Sequence, residues 1–201
     1  MNYLAHLYLA GDDDALRLGA MFGDFIRGQA GLQRFPEDIR EGIRLHRHID
    51  SSTDSQPEVA ALRSWFPGEF RRYAGIVLDL ALDHELALRW SRYSDVDLDA
   101  FDRGVRRLLE RNQALVPDGL SRFMAYADRR GLFAAYRETD EVLHSLRGVG
   151  RRLSRPNPLH RAGEIWPDLQ PLVAANFGVI FARAQSGVED WLKSRSTITG
   201  S

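Results

Sequence analysis

The chain has 201 residues, enough for a domain with a continuous core, and no cysteine, which excludes a disulfide scaffold, a thiolate metal site and a cysteine nucleophile. Its composition is that of a globular protein, 44% hydrophobic and 27% charged. With 27 basic residues against 28 acidic ones the formal net charge is −1, which argues against a nucleic-acid partner held by bulk electrostatics.

Lys193 is the only lysine, so nearly all positive charge is arginine. Arginine holds phosphates and carboxylates bidentately, although codon usage in a GC-rich genome explains the skew more simply. The opening run Met1 to Ala10 is apolar but short, lacks a basic flank and meets Gly11-Asp12-Asp13-Asp14. It does not read as a signal peptide. No apolar run approaches the roughly 18 residues that span a bilayer. A cytoplasmic chain with no membrane partner is expected.

Helical periodicity runs from end to end. Asp12 to Asp14 cap a helix expected to reach about Gly28, and Pro36-Glu37-Asp38 opens one lasting to about Ser52. Gln56-Pro57-Glu58 starts a short helix that Phe66-Pro67-Gly68 closes. A long helical pattern follows from Glu69 to about Tyr93, and Asp95 to Asp99 cap another ending near Leu115. Shorter helices are expected over Leu120 to Arg130 and Leu132 to Leu146. Arg155-Pro156-Asn157-Pro158 is a break, and the last helices run from about His160 to Lys193. The fold expected is a single all-α domain over residues 1–193, a helical bundle, with a disordered polar tail over 194–201.

Several ionisable groups sit in apolar surroundings. The run from Gly75 to Leu88 is apolar on nearly every side of a helix, which marks a buried one, yet it contains Asp79, Asp83 and His84. Asp79 and Asp83, four apart, share a face. Burying two carboxylates is costly without a cation or strong donors. Arg71, Arg72 and Arg89 lie only at the ends of this helix. Asp24 stands among apolar residues and glycines, His6 lies in the apolar amino-terminal run, and His46 and Asp50 are again four apart. Four helical segments thus offer His or Asp, a donor set suited to Mn, Fe, Zn or Mg in a bundle core. Some of these positions also have a purely structural explanation: His6 as a satisfied core residue, Asp24 paired with Arg27, Asp50 paired with Arg47, Asp54 ending its helix; the trio Asp79, Asp83 and His84 is harder to explain in this way. His48, His144 and His160 have polar surroundings and are expected on the surface.

At these residues the chain resembles a known family. The runs Met1-Asn2-Tyr3-Leu4-Ala5-His6-Leu7 and Asp24-Phe25-Ile26-Arg27-Gly28, then Gly42-Ile43, Leu45-His46-Arg47 and Ile49-Asp50, carry the likeness. It continues through Thr53-Asp54, Arg71-Arg72, Leu78-Asp79 and Asp83-His84, covering about the first 90 residues. These runs are similar to the acyl carrier protein phosphodiesterase family, also called ACP hydrolase. The resemblance implies hydrolysis of holo-acyl carrier protein to the apo-protein and 4′-phosphopantetheine, as part of fatty acid and lipid metabolism. It further implies a divalent cation, manganese by preference with magnesium or iron(II) as alternatives, and distant kinship with HD-domain phosphohydrolases. The chain holds no His-Asp dipeptide, only the reversed Asp83-His84, so HD ligand assignments do not transfer position by position.

On the matched positions the metal ligands are expected among Asp24, His46, Asp79, Asp83 and His84, with Asp50 ligating or orienting. His6 is the candidate general acid or base, and Arg27 and Arg47 would hold phosphate oxygens. An acidic carrier needs a basic docking surface. One candidate is the helix face Arg103, Arg107 and Arg111, with Arg106 beside it. The other is the acid-free stretch between Glu141 and Glu164, which carries Arg147, Arg151, Arg152, Arg155 and Arg161. Two rival readings remain open, a metal-dependent phosphohydrolase of a nucleotide or other small phosphoester, and a non-enzymatic helical interaction protein. The oligomeric state is not legible.

Overall fold

A computed structural model describes residues 1–121 and 133–199, and every regular element among them is helical. Helix α1 (Tyr3–Leu9) and α2 (Asp14–Phe22) are followed by a 3-10 turn (Gly23–Phe25) and the short α3 (Gly28–Leu32). Then come α4 (Glu37–Asp54), α5 (Pro57–Trp65), α6 (Ala74–Leu88) and α7 (Leu98–Arg111). A 3-10 turn (Ala134–Arg137) leads into α8 (Thr139–Arg152), and α9 (Trp166–Thr199) closes the chain. None of these helices is long and apolar enough to cross a membrane.

Local chemistry sets most boundaries. The Asp13 carboxylate accepts from the Leu16 amide at 2.9 Å and starts α2. Asp97 does the same for α7, and Pro57 stands at the first turn of α5, where its missing N–H costs nothing. Acidic Glu37 and Asp38 occupy the first turn of α4.

The bounds differ from the sequence expectation in four places. Helix α2 stops at Phe22 rather than near Gly28, because Ile26 and Arg27 are extended and an Arg47 Nη2 donates to the Ile26 carbonyl at 3.0 Å. The run from Glu69 to Tyr93 is one α-helix only over α6, flanked by 3-10 turns at Arg71–Tyr73 and Trp90–Arg92. Helix α8 begins seven residues after Leu132 but continues to Arg152. Helix α9 continues through Thr199, where a tail is expected from Ser194; Arg195 pairs with Glu41 of α4 and stacks on Trp191. The helix expected from Leu120 lies almost wholly outside the described residues.

Helix α6 is the axis of the domain. Val77, Leu78, Leu80, Ala81, Leu82 and Leu86 are all buried, consistent with a helix apolar on every side. Helix α1 packs against both α2 and α6, α8 lies on α6, and α9 runs across α4, α5 and α6. The most extensive pairing is α2 on α4. There Gly19 and Gly42 face each other so closely that a Cβ added to Gly19 would lie 2.4 Å from Gly42 Cα.

Asp83 ties α1 to α6. Its carboxylate accepts from the amides of Leu4 (2.8 Å), Ala5 (3.2 Å) and Asn2 (3.3 Å). These are the orphan donors of a helix start, and no side chain of α1 itself caps them. The carboxylate expected from sequence to bind metal is thus engaged as a cap supplied by another helix.

Three outcomes are expected. Gly19→Ala should lower stability by roughly 1–3 kcal/mol in denaturant unfolding, because overpacking against immovable backbone outweighs the gain in helix propensity. Burial pushes the Asp83 carboxyl up to about 7, against backbone hydrogen bonds that favour its ionised form. The folded chain therefore holds a proton that the unfolded chain releases at ordinary carboxylate pH, and this contribution is lost as pH rises through about 7. Asp83→Asn keeps an acceptor without the charge, so its melting temperature relative to wild type should climb from pH 4 to pH 8; a constant difference would refute the assignment. Asp83→Ala, which abandons the amides, should cost about 1–3 kcal/mol.

Candidate active site

Helices α1 and α4 bring two imidazoles face to face. The rings of His6 and His46 stack with centroids 4.0 Å apart and an interplanar angle of 20°. Asp50, one turn beyond His46 on α4, serves both: its Oδ1 lies 3.0 Å from His6 Nε2 and its Oδ2 3.2 Å from His46 Nε2. Asp24, on the 3-10 turn after α2, places Oδ1 3.3 Å from the same His46 nitrogen. His46 Nδ1 donates to the Ala20 carbonyl at 2.9 Å, which fixes the ring and aims Nε2 at the two carboxylates. Gly23 makes room for this ring, since a Cβ there would lie 2.3 Å from His46 Cδ2.

Depth separates the bases from the acids. The side chains of His6 and His46 are 1% and 4% exposed, whereas Asp24, Asp50 and Asp79 are 52%, 41% and 39% exposed. The imidazoles form a dry floor and the carboxylates face solvent. Burial lowers His6 to about 4, so it is neutral at physiological pH even beside Asp50. Burial also disfavours charge on His46, but the bonds to Asp24 and Asp50 outweigh it and lift His46 to about 9. The same contacts overcome burial and hold Asp50 and Asp24 below the usual carboxylate range. A protonated His46 thus holds the carboxylates together when no other cation does.

One ligand atom each from His6, His46 and Asp50 lies within 4.8 Å of the others. The donor set of imidazole nitrogen and carboxylate oxygen suits Mn, Fe or Zn. A histidine whose second nitrogen is fixed by a backbone carbonyl is the usual arrangement of a metal ligand. His6 Nδ1 is buried without a hydrogen-bond partner. On these grounds the residues fit a divalent cation, with Asp24 as a further oxygen donor.

The structure does not gather every residue named from sequence. Asp79 lies at the edge of the cluster, its Oδ1 2.9 Å from the Met1 amino group, which is itself 3.8 Å from Asp50. Asp83 is turned beneath α1, and His84 Nδ1 donates to the Tyr136 carbonyl at 2.6 Å with the ring edge-on to Trp166. Among the described residues no ion pair joins Asp24 to Arg27 or Asp50 to Arg47; both carboxylates turn to His46 instead. Arg27 is exposed, and Arg47 is tied to Ile26.

The two arginine stretches also resolve. Arg103 and Arg107 are exposed on α7, whereas Arg111 pairs with Asp14 and Arg106 with Asp102. Arg151, Arg152 and Arg155 are exposed and Arg147 is half-buried. Arg161 is neutralised by Glu69 and Glu164. His48, expected on the surface, is half-buried, bonded to the Gly187 carbonyl at 3.2 Å.

A cleft of about 300 Å³ opens beside the cluster, with Asp24 and Asp79 among its lining residues. Its walls come from the start of α1, from α6 and from α8, with Tyr136 between them. The Tyr3 phenol bonds Asp24 and keeps its proton, pushed well above its usual range by burial and by that carboxylate. Asn2 Nδ2 donates to the Tyr136 hydroxyl at 3.2 Å. Tyr136 and Ser145 carry no sequence signal; Asn2 and Tyr3 lie in the amino-terminal run beside His6 but offer no ligand chemistry of their own.

Residues 1–184 match the family model described as acyl carrier protein phosphodiesterase. Among curated relatives, an acyl carrier protein phosphodiesterase of Salmonella agona (strain SL483) is 37% identical over 173 residues, covering 84% of this chain and 86% of that protein. One of Escherichia coli O157:H7 (strain EC4115 / EHEC) is 37% identical over 179 residues, covering 87% and 89%. No solved structure matches the chain significantly. With the match running through α1, α4, α6 and the 3-10 turn that together build the His/Asp cluster, the chain belongs to the acyl carrier protein phosphodiesterase family of hydrolases.

Proposed function

We propose that this enzyme cleaves the phosphodiester between 4′-phosphopantetheine and a serine of holo-acyl carrier protein, releasing the apo-protein and free 4′-phosphopantetheine. The observation that carries the reading is the buried, stacked His6–His46 pair with Asp50 and Asp24 on its open side, at the head of a cleft. These four residues would hold a divalent cation, manganese by preference. Bound there, the cation would neutralise the phosphodiester and acidify a water into a nucleophile.

The chain's own residues do the rest. Ala20 locks the His46 tautomer, and Asp50 couples the two imidazoles. His6, neutral and screened from water, belongs with the ligands rather than with the proton carriers. Tyr3 remains protonated and donates to Asp24, which steadies that carboxylate at the cleft. The exposed Arg27 is free to meet a phosphate oxygen, with Arg47 steadying the backbone between Asp24 and Arg27.

The carrier would dock on α8, because this helix forms one wall of the cleft and ends in Arg151 and Arg152. The face of α7 bearing Arg103 and Arg107 is the second basic surface. We place the reaction in the cytoplasm, within fatty acid and lipid metabolism.

Mass spectrometry of holo-carrier protein incubated with enzyme and manganese should show loss of the phosphopantetheine mass; an unchanged carrier would overturn the reading. His46→Ala should lose bound manganese by elemental analysis and more than about 100-fold in turnover, exceeding the effect usual for an outer-shell residue. Asp83→Asn should keep both. Charge reversal in an Arg147→Glu/Arg151→Glu variant should raise KM for the carrier and leave bound metal unchanged, and added salt should weaken the wild type in the same way.

A further inference from the structure

We infer, on the basis of the activity proposed above, that the cleft beside the His/Asp cluster seats the pantetheine arm of the substrate, and that Arg152 holds its phosphate. Four residues of α8 that line the cleft, Ser145, Gly148, Val149 and Arg152, recur at the spacing of a single helical face. Opposite them stand Ile76 and Leu80 of α6, and Asn2, Tyr3 and Tyr136 complete the walls. The cleft therefore offers an apolar side for methylenes and hydroxyl and amide groups for peptide-like bonds. Its volume falls at the lower end of the roughly 300–1,000 Å³ typical of small-ligand sites.

Gly148 is the telling position. A glycine inside a helix costs about 1 kcal/mol relative to alanine, so it calls for a reason. Its neighbour Gly150 has one, since a Cβ there would lie 2.6 Å from Asn157 Oδ1. Gly148 has none within the protein: an added Cβ would meet nothing within 4 Å. It keeps the wall of the cleft low where a bound chain would pass.

Charge assigns the phosphate. Asp24 and Asp79 line the cleft and repel an anion. Arg152 is the basic side chain on the lining, is exposed, and is paired with no carboxylate among the described residues. It shares that lining with the hydroxyl-bearing Tyr3 and Tyr136. A guanidinium there can take two phosphate oxygens at once.

The test compares wild type, Gly148→Leu and Arg152→Gln by calorimetric titration with 4′-phosphopantetheine and with pantetheine, alongside turnover of holo-carrier protein. Wild type should bind the phosphorylated arm at least tenfold more tightly than pantetheine. Arg152→Gln should sharply reduce that preference while leaving pantetheine affinity unchanged. Gly148→Leu should weaken both ligands and turnover more than tenfold with an equal or higher melting temperature, since leucine favours the helix. Wild-type affinities in Gly148→Leu, or an intact phosphate preference in Arg152→Gln, would overturn the inference. Wild-type enzyme that frees no arm from the carrier would overturn the activity and the inference together; turnover that is indifferent to Gly148→Leu would overturn the cleft alone.

Discussion

The bond from His46 Nδ1 to the Ala20 carbonyl is the constraint on which the site depends. A carbonyl inside a continuing helix would be committed to the amide four residues on. Helix α2 stops at Phe22, so Ala20 lies in its last turn, where carbonyls lack helical partners. The same interruption swings Asp24 onto a 3-10 turn facing α4. Helix α4 must then approach closely enough for its histidine to reach across, and the glycine contact between Gly19 and Gly42 permits that approach. One break and two glycines thus set the orientation of Nε2, and with it the convergence of Asp24 and Asp50.

Much of this was legible in the sequence, and the residues that were not share a cause. His46 and Asp50 stand four apart on a helix, and a helix fixes their common face whatever surrounds it. Asp79 and Asp83 satisfy the same rule and yet part company. Asp79 reaches the edge of the cleft, while Asp83, a turn further on, meets the amides that open α1. Nothing local distinguishes them, because the deciding partner lies about 80 residues away in the chain. His84 is diverted likewise by the Tyr136 carbonyl.

The helix bounds follow the same division. Caps such as Asp13 and Asp97 act within a few residues and were readable. The early end of α2 was not, because it is held by Arg47 from another helix. Arg161 belongs to a stretch with no nearby acid before Glu164, yet Glu69 reaches it across the fold. Local counts of charge describe a surface only when the pairing partners are local too.

The distribution of charge carries the argument one step further. Three carboxylates, Asp24, Asp50 and Asp79, are each about half exposed at one end of the cleft. Against them stand a protonated His46, already shared between two of the three, and the buried Met1 amino group on Asp79. A phosphodiester approaching this mouth meets net negative potential, which opposes binding of the very group to be cut. A near-neutral chain overall is therefore not a neutral site. On the proposed reading a divalent cation that displaces the His46 proton would add one net positive charge and cancel this local excess. Arginine on the wall of α8 then completes an anion-binding surface that the acids alone would forbid.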